Sequence, residues 1–422
     1  MTSTIKQRAS EQFAHLSWPS TEEEWRRTPL ERLLPKGSLD KTSKALPAPS
    51  QSFSLPKPVV TELPQGMAVR ILLQGQKVVS LEYDSSFNQK GFSLQWVDGA
   101  SSHAMDFAAN ELDEQNRFTA WHWRDTPGFL EISVTKNTVI PGLVVVEQTL
   151  PTPSTHHPRV HLCAESSSQV QVVWILQSEA VRREDYSIID GDSPSFVLAG
   201  FGVKAHSNAQ CELLLIQNLS KQTAFFSTGT LESQADAHIQ FHETHLGASL
   251  TKTSTHALLQ NQGADIRLGA LALVQDGGHT DIGVIQNHAS PHCSSDALAH
   301  VAVKSGGRSV FQGRIDVAPH ASKTDAYLTN KNLILGDGAR ADSIPRLDIL
   351  TDDVRCSHGS TTGKLDEEQL FYLTSRGYSV QEARDELLQG FLRHSAEKLS
   401  SESVALLEQY LDAALAKDKG GS

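Results

Sequence analysis

ADAHIQF (235–241), GADIRLGAL (263–271) and GGRSVFQGR (306–314) each place a corner of small residues before a short run of alternating or apolar residues. The same texture extends outward from these three units. VRILL (69–73), VVSLEY (78–83), LVVVEQTL (143–150), VQVVWIL (170–176), CELLLIQ (211–217), SVFQGRIDV (309–317) and LDIL (347–350) are separated by Gly, Ser, Asn, His and Asp. Side chains two apart share a face of a strand, so such runs bury one face or both. No segment between Ser166 and Leu350 holds a helical period over ten residues. Short strands, small corners and no intervening helices suit a stacked solenoid such as a β-helix. A large sandwich or barrel is the alternative. The spacing of the units is irregular, so no repeat can be fixed by register.

Both flanks read differently. The first forty residues read as helix and turn, with Thr21 before Glu22, Glu23 and Glu24, and Thr28 before Pro29 as a cap followed by a first-turn proline. Residues 37–58, rich in Ser, Pro and Lys, read as a linker. After Gly363 the texture is helical. LDEEQLFYLTSRG (365–377) ends on Gly377, a natural left-handed stop. Ser379 and Glu382 form a capping-box pattern. Val380, Ala383, Leu387, Leu388, Phe391 and Leu392 then make one apolar stripe, and Val404, Leu406, Leu407, Tyr410, Leu411 and Leu415 a second. The divisions expected are 1–65, a helical arm and linker; 66–363, the β-core; and 364–422, a helical unit packed on the end of that core and separable from it.

At 422 residues two or three structural units are expected. A net charge of -12 with no lysine-rich block disfavours nucleic acid. No run approaches the roughly 20 apolar residues of a membrane helix, and the first twenty residues lack an export pattern. A soluble, cytoplasmic protein is expected. Cys163, Cys211, Cys293 and Cys356 are scattered without a CxxC pair, so any cluster is expected to be transient or shared between chains.

DDVRCSHGSTT (352–362) carries the most chemistry. Cys356 and His358 are two apart, on one face of a strand, and are ligand types suited to iron or zinc. With IPRLDILTDDVRCSHG (344–359), FQGRIDVAPHASKTDAYLTNKNLIL (311–335) and the terminal helices, this string resembles the SufB/SufD family of iron–sulfur cluster assembly proteins. WRRTPLERL (25–33) resembles an element of its SufD branch. The resemblance implies a mainly β fold, a right-handed parallel β-helix core flanked by N-terminal and C-terminal helical units. It implies a non-catalytic scaffold that pairs with SufB through the β-helices. It further implies that the C-terminal helices bind SufC, an ABC-type ATPase. No cofactor would be stably bound. A transient iron–sulfur cluster, or iron, would sit at the SufB–SufD interface on His358, with Cys356 the weaker candidate for cluster or metal.

Simpler roles compete with each of these. His358 as a cap of the last turn, Cys356 as an inert thiol and Asp352–Asp353 as a solvated corner would make the chain a purely structural interaction module. Strand-rich solenoids also include secreted-type polysaccharide-active enzymes, which need a cleft of carboxylates or bases. HIQFHETH (238–245) lacks the HExxH spacing; on a strand His238 and His242 share a face and His245 points away, the pattern of ordinary strand histidines. His288, His292 and Cys293 make a comparably weak cluster. His156 and His157, before Pro158, read as loop. Trp18 and Trp25 are expected to staple the N-terminal arm to the core.

Overall fold

The computed structural model describes residues 2–19, 22–34, 38–39, 55–97, 102–113, 116–178 and 195–417. Thr21, and the linker apart from residues 38–39 and 55–58, lie outside these.

The core is a parallel β-solenoid. Successive strands alternate between an eleven-stranded and a ten-stranded sheet, so each coil gives one strand to each. In-register positions 210, 238, 265, 294, 325 and 355 fall 27 to 31 residues apart. That small variation is what hides the repeat from a fixed-period reading. Corners turn on left-handed residues at Ser167, Asn208, Asp236, Gly263, His292 and Lys323. The amide there donates to the next coil: Ser167 to the Ser207 carbonyl, Asn208 to Ala235, Asp236 to Gln262 and Lys323 to Asp353. At Gly263, with φ +78°, an added Cβ would meet the Asp236 carboxylate, so a side chain is excluded by strain and by space.

Inward columns fill the interior. Leu213, Phe241, Leu268, Ala297, Leu328 and His358 stack in register along one of them. Phe201 and Phe241 stack face to face from opposite sheets at 4.7 Å. At the N-terminal end two strand pairs run antiparallel, Met67–Gln74 with Lys77–Asp84 and Phe92–Val97 with Phe129–Val134, and Val59–Thr61 and Phe92–Val97 are the outermost strands there.

Helices sheathe the outer faces, and here the structure corrects three expectations. Residues 102–125, read as part of the strand texture, hold helices Ser102–Asp113 and Arg117–Asp125. The second is capped by Asn116, and Phe118, Thr119, Ala120, Trp121, His122 and Trp123 are all buried. At nine residues the second helix is too short for its period to be told from that of a strand. Secondly, Thr28 does not cap a helix. The short helix Leu30–Leu33 starts at Pro29 without a side-chain cap, and the Thr28 hydroxyl instead donates to Asp281 and lies 3.0 Å from His279. Trp25 stacks on Phe118 at 5.1 Å, and Phe118 on Phe226 at 4.1 Å, so the tryptophan does staple the arm to the sheet.

Thirdly, the C-terminal helices do not sit on the end of the solenoid. Val380–Arg393 and Ser401–Lys417 lie across the outer face of the eleven-stranded sheet. Leu388, Leu392, Leu407 and Leu411 bury Val145, Ile175, Leu214, Ile216 and Leu271. Removing the helical unit would bare that face. The capping box of Ser379 with Glu382 and the left-handed Gly377 are both present.

Candidate functional site

The C-terminal end of the solenoid is open. Strands Arg340–Ile349 and Arg355–Gly363 are the outermost strands of their sheets, each paired on one side only. An unpaired edge presents free N–H and C=O groups to another chain, and solenoids otherwise cap such ends. The last coil presents such an edge on both sheets.

Cys356 and His358 lie on this last strand, in register with Ala326 and Leu328. Both therefore belong to inward-facing columns. Ala326 and Leu328 are buried, whereas Cys356 is half-buried and His358 exposed, because no further coil stacks on them. The two-residue spacing puts thiol and imidazole on one face, as the sequence predicts. Burial pushes the Cys356 thiol up, and Asp325 adds to the rise while the Ala326 amide offsets part of it. Such a thiol stays protonated near neutral pH until a metal displaces the proton. One thiol and one imidazole suit iron but supply only part of its shell. Asp353 lies at the corner, its carbonyl accepting from the Lys323 amide and its carboxylate 2.7 Å from the exposed Lys323 ammonium.

A second exposed feature lies on the helical unit. Phe371, Tyr372, Tyr378 and Val380 are 74, 55, 43 and 54 % exposed, and helix Glu367–Ser375 buries none of its residues. Asp366 caps that helix by accepting from the amides of Glu368 and Gln369. Phe371 and Tyr372 lie on that helix, with the Arg376 guanidinium 5.0 Å from the Tyr372 ring.

The other histidines singled out in the sequence do not converge. His242 faces outward beneath the helical unit, 3.3 Å from the Ser395 hydroxyl, and desolvation pushes its pKa down to about 3. His245 faces inward, 3.2 Å from Glu243. His238, on the same face as His242, lies 3.3 Å from Asp265. His288 is buried 2.8 Å from the Ser295 hydroxyl, His292 occupies a left-handed corner, and the Cys293 thiol donates to the Asn261 carbonyl. His156 is not loop, whereas His157 does lie in the short connection after it. Thr155–His156 is a short strand paired with Phe196 and Val197, and His157 is buried against Trp121.

Sequence reasoning missed a buried charge network beneath the inserted helices. Arg159 donates twice to Glu111, at 2.6 and 3.0 Å, with both side chains almost wholly buried. The Trp123 indole donates to the same carboxylate at 2.8 Å, and the guanidinium lies over its ring at 3.9 Å. The partners lie 48 residues apart, so only knowledge of the helices could have paired them.

Among the described residues no helix is long and apolar enough to cross a membrane. The family model for the SUF system FeS cluster assembly SufBD core domain matches residues 146–391, more than half of the chain. The iron–sulfur cluster assembly protein SufD of Escherichia coli (strain K12) is 31% identical over 251 residues, covering 60% of this chain and 57% of that protein. A SufBD family protein of Mycobacterium leprae (strain TN) is 35% identical over 177 residues, 40% of this chain and 45% of the relative. The SufB protein of Bacillus subtilis (strain 168) is 28% identical over 192 residues, 46% and 41%. The chain thus spans about half the length of the curated relatives it matches. With a two-sheet solenoid and the Cys356–His358 strand already described, the match is decisive: this chain belongs to the SufBD core family of the SUF iron–sulfur cluster assembly system.

Proposed function

We propose that this chain is a cytoplasmic scaffold subunit without a catalytic centre of its own. Its terminal coil pairs edge to edge with the solenoid of a SufB-type chain. His358, with Cys356 in a lesser role, holds iron or a nascent cluster at that junction as cargo. The C-terminal helices dock the ABC-type ATPase SufC.

One observation carries this reading. The inward columns of a buried solenoid run out, at its uncapped end, into a thiol and an imidazole on one face. Two ligands leave a metal's shell incomplete, so a second chain covering the edge would supply the remainder. The bared aromatic residues Phe371 and Tyr372 support an ATPase surface separate from this junction.

The test is a complex of this chain with its SufB-type and SufC-type partners, purified with and without His358→Ala. Retention of the complex with loss of cluster supports the reading. Retention of both leaves a purely structural interaction module.

A further inference from the structure

We infer that Cys163, Glu165 and His206 form a binding site for one divalent d-block cation of the zinc or ferrous type, at a solenoid corner remote from the terminal coil. Cys163 lies on strand Arg159–Ala164, six strands from the C-terminal edge strand of the ten-stranded sheet.

The backbone brings the three together. Cys163 and Glu165 are two apart at the end of a strand. The His206 amide donates to the Ala164 carbonyl at 2.9 Å, which sets His206 beside Glu165 on the next corner. One ligand atom from each of the three side chains lies within 4.8 Å of the other two. Zinc–ligand lengths of about 2.0–2.3 Å place ligand atoms roughly 3.3–3.6 Å apart in a tetrahedral site. Small side-chain rotations close that gap.

The imidazole is already set for the task. His206 Nδ1 lies 3.1 Å from Gln234 Oε1 on the following corner. A carbonyl acceptor there holds the proton on Nδ1 and leaves the lone pair on Nε2. That Nε2 is a buried atom with no hydrogen-bond partner. Metal-bound histidines characteristically donate their other nitrogen to a carbonyl in this way, which fixes the tautomer and aims the ring.

Charge and access agree with a cation. Thiolate and carboxylate together balance a dication, and the thiol proton leaves to solvent on binding. Lys204, in register with Cys163, is already matched by Glu232 at 3.1 Å and Asp106 at 3.3 Å. Cys163 is buried while Glu165 is exposed, so the open side of the site faces water and admits both the ion and a fourth, solvent ligand. Sulfur, nitrogen and oxygen donors in one site suit zinc or ferrous iron better than calcium or magnesium.

The experiment titrates cobalt(II), a spectroscopic stand-in for zinc, into full-length protein stripped with chelator. The background is the Cys356→Ser, His358→Ala double variant, which removes the terminal-coil ligands. The expected result is one equivalent bound per chain, with a thiolate-to-cobalt charge-transfer band that zinc bleaches. Cys163→Ser should abolish the band. His206→Ala should weaken binding at least about tenfold and Gln234→Leu about 10- to 100-fold. Glu165→Gln, at an exposed corner, decides the matter if Cys163→Ser does not fold, and should also weaken binding. No binding above background overturns the site. So does a thiolate band that survives Cys163→Ser, or an affinity indifferent to both Glu165→Gln and His206→Ala.

Discussion

Leu328 and His358 stand in register on neighbouring strands, in the same inward column, yet Leu328 is buried and His358 is exposed. The difference is the presence or absence of one more coil. Binding a SufB-type chain is therefore expected to protect the backbone amides of residues 340–349 and 355–363 from hydrogen exchange. The amides of Met67–Gln74, a strand paired on both sides near the other end, should not change. Hydrogen exchange by mass spectrometry of the chain alone and in complex checks this.

Phe371→Ala and Tyr372→Ala should separate docking from stability. Both side chains are largely exposed, so unfolding midpoints should stay within about 0.5 kcal/mol of the parent. ATPase binding should weaken by about 2 kcal/mol or more if these aromatics anchor the contact. Leu392→Ala is the converse. Its side chain is fully buried between helix and sheet, and its loss should cost about 2–5 kcal/mol of stability. Urea melts and a calorimetric titration of the ATPase read the two effects apart.

The Arg159–Glu111 pair predicts strong asymmetry between single and double changes. Glu111→Leu alone strands a buried guanidinium and should cost about 3–5 kcal/mol. Arg159→Met with Glu111→Leu together should recover most of that loss. Urea midpoints of the three variants make the comparison.

Stability should fall as the solution is acidified from about pH 6.5 toward pH 4. Desolvation holds His157 at about 4, against 6.5 for the free side chain, with His122 and Arg124 among its close neighbours and Asp125 opposing the shift. Burial likewise holds His242 at about 3 and His300 at about 4. Through this window the unfolded chain binds protons that the folded chain does not, so unfolding becomes easier as pH drops. Asp265, held at about 2, adds its own loss only below about pH 4. His242→Gln should flatten the slope of the urea midpoint between pH 6.5 and 4.

Much of this was legible in the sequence. The alternating runs and small corners gave away the parallel β-core, and its end was visible in DDVRCSHG, where the strand texture yields to capped helices. The corner residues Asn208, Asp236 and Gly263 show why: a left-handed turn stacked on its neighbour leaves a local chemical signature. What stayed hidden has no local signature. Helix Arg117–Asp125 spans only nine residues, too few turns for a helical period to stand out. The position of Leu388 and Leu411 on the face of a sheet rather than its end depends on contacts with strands far earlier in the chain. Thr28 reads as a cap because its neighbour is proline, yet a buried carboxylate 253 residues on claims its hydroxyl.

The most direct test of the account is the cluster content of the complex carrying His358→Ala. The complex of this chain with its SufB-type and SufC-type partners is purified, supplied with iron, a sulfide source and reductant, and read by visible absorbance and bound iron. The account predicts an intact complex of normal stoichiometry that assembles little or no cluster, with Cys356→Ala losing less. Cluster assembly at the parental level in an intact His358→Ala complex would contradict it.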